Sequence, residues 1–146
     1  MRSRSLYCCA LGLLLSIGAV RAQDGAIVDR DTVAYTEDQQ RFFAELFRRN
    51  GLDALDLNAV VQRITYLSGG LRVRGYLVEP VEGDSLPAVI DNRGGNQDFD
   101  AWTDTTAAFF LAPLAARGYV VAASQYRGNA GGEGREEFGG PTWTTC

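Results

Sequence analysis

The 146-residue sequence is 46% hydrophobic and 22% charged with a formal net charge of -4, which is the composition of a globular domain rather than of a disordered or collagen-like chain. It has no lysine, which excludes a Walker-type phosphate loop and a Schiff-base lysine, and no histidine, which excludes a Ser-His or Cys-His pair and a histidine metal site within this chain. The acidic balance argues against nucleic acid as a partner.

The first 22 residues have the layout of a secretory signal peptide. Arg2 and Arg4 form a positive n-region, residues 6–20 are an apolar run, and small or apolar residues precede Gln23. The alternative is a membrane anchor, but the run is shorter than the roughly 20 residues that a span needs. We therefore predict cleavage after Ala22, a periplasmic or secreted mature chain, and no membrane contact after cleavage.

Cleavage changes the cysteine content of the chain. Cys8 and Cys9 leave with the signal peptide, so Cys146 is the single thiol of the mature chain. An intrachain disulfide is then excluded, although an exported compartment would permit one. Stability must come from a hydrophobic core, and the mature chain of about 120 residues is long enough to build one.

The first strong element of the mature chain is a helix after Thr36, within an N-terminal helical segment that we assign to residues 23–59. Thr36 and Gln39 fit a capping box, and Asn50-Gly51 is a stop signal. Four apolar side chains share one face at helical spacing: Phe42, Phe43, Leu46 and Phe47. Such a stripe is typical of core packing, and a partner surface is the alternative.

From residue 60 the pattern changes to that of strands. Residues 61–67 and 71–78 alternate between apolar and polar, and Ser68-Gly69-Gly70 between them indicates a hairpin turn. Two short apolar runs follow, at 88–90 and 119–123, of the kind found in strands buried on both faces.

A second helix is predicted between those two apolar runs. It covers about residues 102–116, with a kink or a fresh first turn near Pro113. A strand, a helix and a strand with short connections predict a right-handed crossover and a parallel sheet.

Glycine-rich loops follow the carboxyl ends of both predicted parallel strands, where open sheets of this type bind ligands. They cover residues 91–96 and 125–134. Paired glycines let backbone N–H groups approach a reacting oxygen closely. A dinucleotide site is the rival interpretation, but the second loop lacks G-x-G-x-x-G spacing and the first does not open directly into a helix. We expect no cofactor.

Residues 63–140 carry a series of short motifs in a consistent order. They are Ile64–Gly70, Gly75–Leu77, Leu86–Ile90, Arg93–Gly95, Leu114–Val121, Tyr126–Gly128, and Gly134 with Glu137–Gly140. The series resembles the start of the catalytic domain of the prolyl oligopeptidase family of serine peptidases. The most specific pieces are Ala-Arg-Gly-Tyr-Val-Val at 116–121 and Tyr-Arg-Gly at 126–128, and the resemblance covers a little over half of the chain.

The resemblance implies a fold and a candidate site. The fold would be an incomplete α/β-hydrolase fold: an N-terminal helix, an antiparallel hairpin, then the strand-helix-strand of a mainly parallel sheet, with residues 60–146 forming the truncated hydrolase domain. The implied site is an oxyanion hole at Arg93, Gly94 and Gly95, made by backbone amides or by the first side chain. Many members carry His-Gly-Gly where this chain has Arg-Gly-Gly.

The resemblance also shows which catalytic parts this chain lacks. The family's nucleophile lies downstream in a G-x-S-x-G elbow, followed by an aspartate and a histidine, and none of these is present. Without a base to activate them, the three remaining serines of the mature chain are predicted to have structural roles: Ser68, Ser85 and Ser124. We therefore assign no catalytic residue to this chain.

A cluster of acidic and amide side chains raises the question of a calcium site. Its members are Asn96, Asp98, Asp100 and Asp104. The cluster lacks the glycine and the distal glutamate of an EF-hand loop, so helix capping and solvation are the favoured roles, and we expect no metal.

The resemblance ends abruptly after Gly140, and residues 141–146 fit neither a helix nor a strand. Members of the family commonly continue from this point with acidic residues at the start of a helix. Reading the codons of residues 140–146 from the third base of the Gly140 codon gives, with G at each free position, Ala-Asp-Val-Asp-Asp-Val. We therefore expect a frameshift at Gly140, and a natural terminus or an arbitrary fragment boundary is the alternative.

Two functions from different classes follow from the sequence. The first is an N-terminal fragment of an exported serine peptidase or related hydrolase, inactive alone, whose full-length parent acts on a peptide or ester substrate. The alternative is a non-catalytic secreted binding module that uses the glycine-rich loops or the aromatic stripe of the first helix.

Overall fold

The computed structural model describes residues 23–52, 58–95 and 97–136. Its elements in chain order are β1 (Ile27–Thr32), α1 (Glu37–Arg49), β2 (Ala59–Ser68), β3 (Leu71–Pro80), β4 (Ala88–Asn92), α2 (Asp104–Thr106), a π-helical turn (Ala107–Leu111), α3 (Ala112–Ala115) and β5 (Val120–Ser124). The predicted signal peptide, Asn96, the last family motif and the segment of the expected frameshift lie outside the described residues. The domain division at residue 59 stays a prediction. None of the described helices has the length and apolar character to cross a membrane.

The five described strands form one mixed sheet in the order β1-β2-β3-β5-β4. Its first three pairings, β1 with β2, β2 with β3 and β3 with β5, are antiparallel. Only β4 and β5, which the predicted crossover joins, run parallel. The expected mainly parallel α/β-hydrolase sheet is therefore wrong. The crossover sets only the direction of β5 relative to β4. It does not set the pairing of β5 with β3 of the hairpin, which is antiparallel.

The predicted hairpin is confirmed. β2 and β3 pair in unbroken register from Ala59 opposite Pro80 to Ser68 opposite Leu71. Gly69 and Gly70 form the two-residue loop with φ of 59° and 78°. Positive φ at both loop positions is the turn form that matches strand twist, and glycine adopts it without steric cost.

The predicted first helix and its cap are confirmed as α1. The Gln39 amide donates to Thr36 Oγ1 at 3.3 Å, and the Thr36 amide donates to Gln39 Oε1 at 2.9 Å. Phe43 and Phe47 are 1% and 0% exposed, and the Phe47 ring stacks on Phe109 with centroids 5.8 Å apart. Two residues of the aromatic stripe therefore pack in the interior while Phe42 remains 57% exposed, and the alternative of a partner surface stays a prediction.

The predicted second helix is confirmed over residues 104–115, and it is irregular where Pro113 requires it. Proline has no N–H to continue an α-helical ladder, and a π-helical turn directly precedes α3, in whose first turn Pro113 stands. The segment covers one face of the sheet. Its buried side chains Ala107, Leu111 and Ala115 pack in one cluster with Val61, Val78 and Val121 of the strands.

Asp104 ties this helical segment to the sheet. Its Oδ1 accepts hydrogen bonds from Arg63 Nε at 2.9 Å and from the Tyr76 hydroxyl at 2.8 Å, and its Oδ2 accepts from Arg63 Nη2 at 2.5 Å. The hydrogen bonds from Arg63 are the main reason that the pKa of Asp104 lies below its usual value. Tyr35 donates to the Asp104 carbonyl at 2.9 Å, and burial raises the pKa of Tyr35 to about 12. The Asp104 carboxylate therefore joins α2 to β2 and β3, and Arg63 extends the network to β1 through its ion pair with Asp31.

Asp104→Asn is expected to lower the free energy of unfolding at pH 7 by about 1 kcal/mol, because the variant keeps the shape but loses the charge-assisted hydrogen bonds. The effect is small since the carboxylate is 34% exposed and solvent screens it. A lowered folded pKa means that this stability is present above about pH 4, the pKa of an unfolded aspartate, and is lost as the pH falls through the folded pKa. Urea denaturation at pH 7 and at about pH 2.5 measures both effects.

The matched control is Asp38→Asn. Asp38 pairs with Arg41 on the exposed face of α1, where its side chain is 86% exposed. Its replacement is expected to change stability by less than about 0.5 kcal/mol at either pH. An equal loss in both variants, or a loss in Asp104→Asn that persists in acid, would contradict the role assigned to Asp104.

Candidate functional site

The two predicted glycine-rich loops lie side by side at one edge of the sheet. One leaves the end of β4 at Arg93 and the other leaves the end of β5 at Gln125. Because β4 and β5 run parallel in register, with Asn92 opposite Ser124, their carboxyl ends meet at the same edge. The predicted placement of both loops at the carboxyl ends of a parallel strand pair is confirmed, and a binding site formed by them stays a prediction.

Hydrogen bonds from Gln125 and Tyr126 join the start of the second loop to the chain between β4 and α2. The buried Gln125 amide group donates to the Trp102 carbonyl at 2.6 Å and accepts from the Trp102 N–H at 3.0 Å. The Tyr126 hydroxyl donates to the Arg93 carbonyl at 2.8 Å, and the Arg93 guanidinium carbon lies 5.4 Å from the centre of the Tyr126 ring. The first residues of both loops are thus held by each other.

Two carboxylates also join the chain between β4 and α2 to the second loop. Glu136 Oε2 accepts hydrogen bonds from the Gln97 N–H at 2.5 Å and from Asn129 Nδ2 at 3.2 Å. Asp98 Oδ1 accepts from the Ala130 N–H at 3.0 Å. Asp98 and Asp104 of the acidic cluster therefore bind amide and guanidinium groups, and no set of three or more metal-ligating side chains comes together within the described ranges.

Arg93 is buried, and its side chain turns back onto its own loop. The residue is only 5% exposed. Its Nη1 donates to the Phe99 carbonyl at 2.6 Å and its Nη2 donates to the Gln97 carbonyl. The Nε atom is buried without a hydrogen-bond partner among the described residues. The guanidinium therefore supports the fold of the loop, and its predicted part in an oxyanion hole stays a prediction.

Gly94 and Gly95 present backbone amides that are not used within the described part of the loop. Neither N–H donates a hydrogen bond to another described residue. Gly95 has φ of 78°, and a Cβ atom there would lie 2.5 Å from the Phe99 carbonyl oxygen, so the loop can be built only with glycine. Backbone amides that a fold holds in place and does not use are suitable donors to a developing oxyanion.

Two of the three serines, Ser68 and Ser124, form hydrogen bonds with other residues of the fold. Ser68 Oγ accepts a hydrogen bond from Arg127 Nη2 at 2.9 Å. Ser124 Oγ lies 2.7 Å from the Tyr66 hydroxyl and accepts from the Tyr126 N–H at 3.0 Å. The latter bond holds Tyr126 in a left-handed conformation with φ of 65°. Ser85 also has a positive φ, of 56°, in the loop before β4.

A surface cleft at the opposite end of β3 and β5 has no counterpart in the sequence prediction. It has a volume of about 390 Å3 and is lined among others by Val60, Glu79, Leu86 and Val120. Glu79, one of its charged groups, lies 3.4 Å from Arg30 Nη1. The cleft contains no residue of the two glycine-rich loops, so it does not extend the candidate site.

Comparison with known proteins relates part of this chain to a peptidase. No family model matches the chain, and no solved structure gives a significant match. A stretch of 77 residues, or 53% of this chain, is 43% identical to the uncharacterized peptidase YtmA of Bacillus subtilis strain 168. The matched stretch covers 28% of the length of that protein. This chain is therefore similar, over about half of its length, to one part of a longer peptidase.

Proposed function

We propose that this chain is the N-terminal part of an exported serine peptidase or related hydrolase of the prolyl oligopeptidase type, and that it is inactive alone. The observation that carries the proposal is the 43% identity over 77 residues to a protein named as a peptidase. The order of motifs from Arg63 to Gly140 supports the finer assignment to the prolyl oligopeptidase type. The layout of residues 1–22 supports export to the periplasm or the medium.

The linked loops support a role in acyl transfer from a peptide or an ester in the full-length parent. Gly94 and Gly95 offer two adjacent backbone amides, and the loop that carries them is fixed by Arg93 and by Tyr126. Preorganised donors of this kind stabilise the oxyanion of a tetrahedral intermediate because they need no rearrangement during the reaction. This chain would therefore contribute the backbone amides that bind the oxyanion.

The composition of the chain and the partners of its serines explain why the chain alone would be inactive. Acyl transfer by a serine needs a base that takes the hydroxyl proton, and the chain has no histidine. Ser68 and Ser124 are bound to Arg127 and to Tyr66, neither of which is a base at neutral pH. The nucleophile and its base must then come from another part of the parent protein.

The chain alone is expected to show no hydrolysis of peptide or ester substrates and no covalent labelling by a fluorophosphonate, which reacts with activated serines. In contrast, a chimera in which residues 63–140 of this chain replace the corresponding part of YtmA is expected to be labelled. Gel fluorescence and mass spectrometry of the labelled site measure both outcomes.

Two controls make this result decisive. Unaltered YtmA is labelled if it is a serine enzyme, and the same chimera with Gly95→Val is expected to lose labelling because the new side chain collides with the Phe99 carbonyl. Circular dichroism shows whether each chimera is folded. Labelling of Ser68, Ser85 or Ser124 in the chain alone would contradict the proposal, as would a folded chimera that stays unlabelled beside labelled YtmA.

A further inference from the structure

Tyr126 has a backbone conformation that a bulky side chain rarely adopts. Its φ is 65°, in the left-handed region, where residues other than glycine are uncommon and strained. The Ser124 hydroxyl stabilises this conformation because it accepts the Tyr126 N–H at 3.0 Å, and the Tyr66 hydroxyl lies 2.7 Å from the same Ser124 oxygen. Ser124 and Tyr66 therefore help to set the direction of the Tyr126 side chain.

The Tyr126 side chain reaches the peptide group between Arg93 and Gly94. Its hydroxyl donates to the Arg93 carbonyl at 2.8 Å. The Arg93 guanidinium carbon lies 5.4 Å from the centre of its ring, a distance at which a cation is attracted to the face of an aromatic ring. One side chain therefore holds Arg93 at two points, the carbonyl and the guanidinium.

The carbonyl that Tyr126 binds belongs to the same peptide group as the Gly94 N–H. A peptide group is planar, and in its trans form the C=O and the N–H point in opposite directions. None of the peptide bonds among the described residues is cis. A hydrogen bond that fixes the Arg93 carbonyl therefore also fixes the Gly94 N–H and directs it away from Tyr126.

The peptide group before Gly94 needs such a restraint. Glycine adopts a wide range of backbone conformations, so this group can rotate at little steric cost. The Gly94 N–H donates to no other described residue, and no hydrogen bond of its own within the described part of the chain holds its direction. The bond from Tyr126 also strengthens the N–H as a donor, because hydrogen bonds that are linked through one polar group polarise each other.

We propose that Tyr126 is a positioning residue, which holds the Arg93–Gly94 peptide group so that the Gly94 N–H stays available to an oxyanion. This inference rests on the proposed function of the loop in acyl transfer. The oxyanion develops only in the transition state, so loss of the restraint is expected to slow the chemical step without weakening the initial binding. The strained conformation of Tyr126 thereby serves the site.

The first test is NMR spectroscopy of the full chain alone. Tyr126→Phe removes the hydroxyl and keeps the ring. The 13C signal of the Arg93 carbonyl and the 15N signal of Gly94 are expected to shift, and to broaden as the peptide group begins to rotate. Tyr35→Phe is the matched control, because it removes a hydroxyl that donates to another backbone carbonyl, that of Asp104, at 2.9 Å. It is expected to leave both signals unchanged.

The second test is the rate of fluorophosphonate labelling in the chimera with YtmA. Tyr126→Phe is expected to slow the labelling step by about tenfold, less than the roughly hundredfold or greater loss that follows removal of an oxyanion donor. The probe concentration that gives half of the maximal rate is expected to stay unchanged. Ser124→Ala, which frees the Tyr126 N–H, is expected to slow the same step, and Tyr35→Phe to leave it unchanged. Circular dichroism shows that each variant is folded.

The two tests separate a failure of this inference from a failure of the proposed function. Unchanged Arg93 and Gly94 signals in Tyr126→Phe, or an unchanged labelling rate in the chimera, would overturn the inference while the proposed function stands. An equal loss in Tyr35→Phe would show a general structural effect and would also overturn it. A folded chimera that stays unlabelled beside labelled YtmA would overturn the proposed function, and the NMR signals alone would then decide whether Tyr126 positions the peptide group.

Discussion

Phe47→Ala is expected to lower the free energy of unfolding by about 3 to 5 kcal/mol, the usual cost of removing a fully buried aromatic side chain. Phe47 is 0% exposed, and its ring stacks on Phe43 of the same helix and on Phe109 of the π-helical turn. Phe43 and Phe47 also form one buried cluster with Ala108, so this aromatic face attaches α1 to the helical segment. Loss of the ring therefore leaves a cavity and also releases the helix.

Phe42→Ala is the matched control for this prediction. Phe42 is the preceding residue of the same helix, but its ring is 57% exposed. Its removal is expected to cost less than about 1 kcal/mol, as for most surface substitutions. Urea denaturation followed by circular dichroism compares the two variants with the natural chain. Equal losses would show that α1 is not attached through its buried aromatic face.

The elements that the sequence predicts correctly are those whose signals are local. The capping box at Thr36 and the glycine pair of the hairpin turn each fix a backbone conformation through neighbouring residues. The irregularity near Pro113 follows in the same way from the missing proline N–H. Such features need no knowledge of the tertiary fold.

β1 is a strand that the sequence analysis did not predict. Residues 28–32 are all exposed, so the segment has no alternation of apolar and polar residues to indicate a strand. Its stability in the sheet comes from pairing with β2 and from contacts such as the ion pair of Asp31 with Arg63. These partners lie about thirty residues away, and only the folded chain brings them together.

The prediction of a mainly parallel sheet is wrong for a similar reason. The connection between β4 and β5 correctly indicates one parallel pair. The decisive pairing, of β3 with β5, joins strands that are separated by about forty residues and is antiparallel. Strand composition does not specify which neighbour a strand will meet on its second side.

The candidate site shows the same division between local and distant information. The position of Arg93, Gly94 and Gly95 follows from the strand that precedes them. The inward turn of the Arg93 side chain depends instead on the carbonyl groups of Gln97 and Phe99, and no spacing rule indicates it. The sequence around an arginine at the start of a loop does not indicate whether its side chain is buried or exposed.

Gly75→Ala is expected to lower the free energy of unfolding by about 3 kcal/mol, at the upper end for an added methyl group in a packed interior. A Cβ atom at Gly75 would lie 2.5 Å from the Ala123 carbonyl oxygen, and this neighbour is backbone that cannot rotate away. The strain falls on the pairing of β3 with β5, where Gly75 stands opposite Ser124. Amide hydrogen exchange is therefore expected to increase in β5 and at Gln125, whose N–H donates to the Arg74 carbonyl at 2.9 Å.

Gly70→Ala separates this steric effect from the general cost of replacing a glycine. Gly70 has φ of 78° but no atom within 4 Å of an added Cβ, so its replacement brings only the backbone strain of about 1 to 2 kcal/mol. That strain lies in the hairpin turn, and hydrogen exchange in β5 is expected to stay as in the natural chain. If Gly75→Ala left both stability and exchange in β5 unchanged, β3 and β5 would not be in close contact at Gly75. The pairing of β3 with β5, which joins the antiparallel strands β1, β2 and β3 to the parallel pair of β4 and β5, would then be absent.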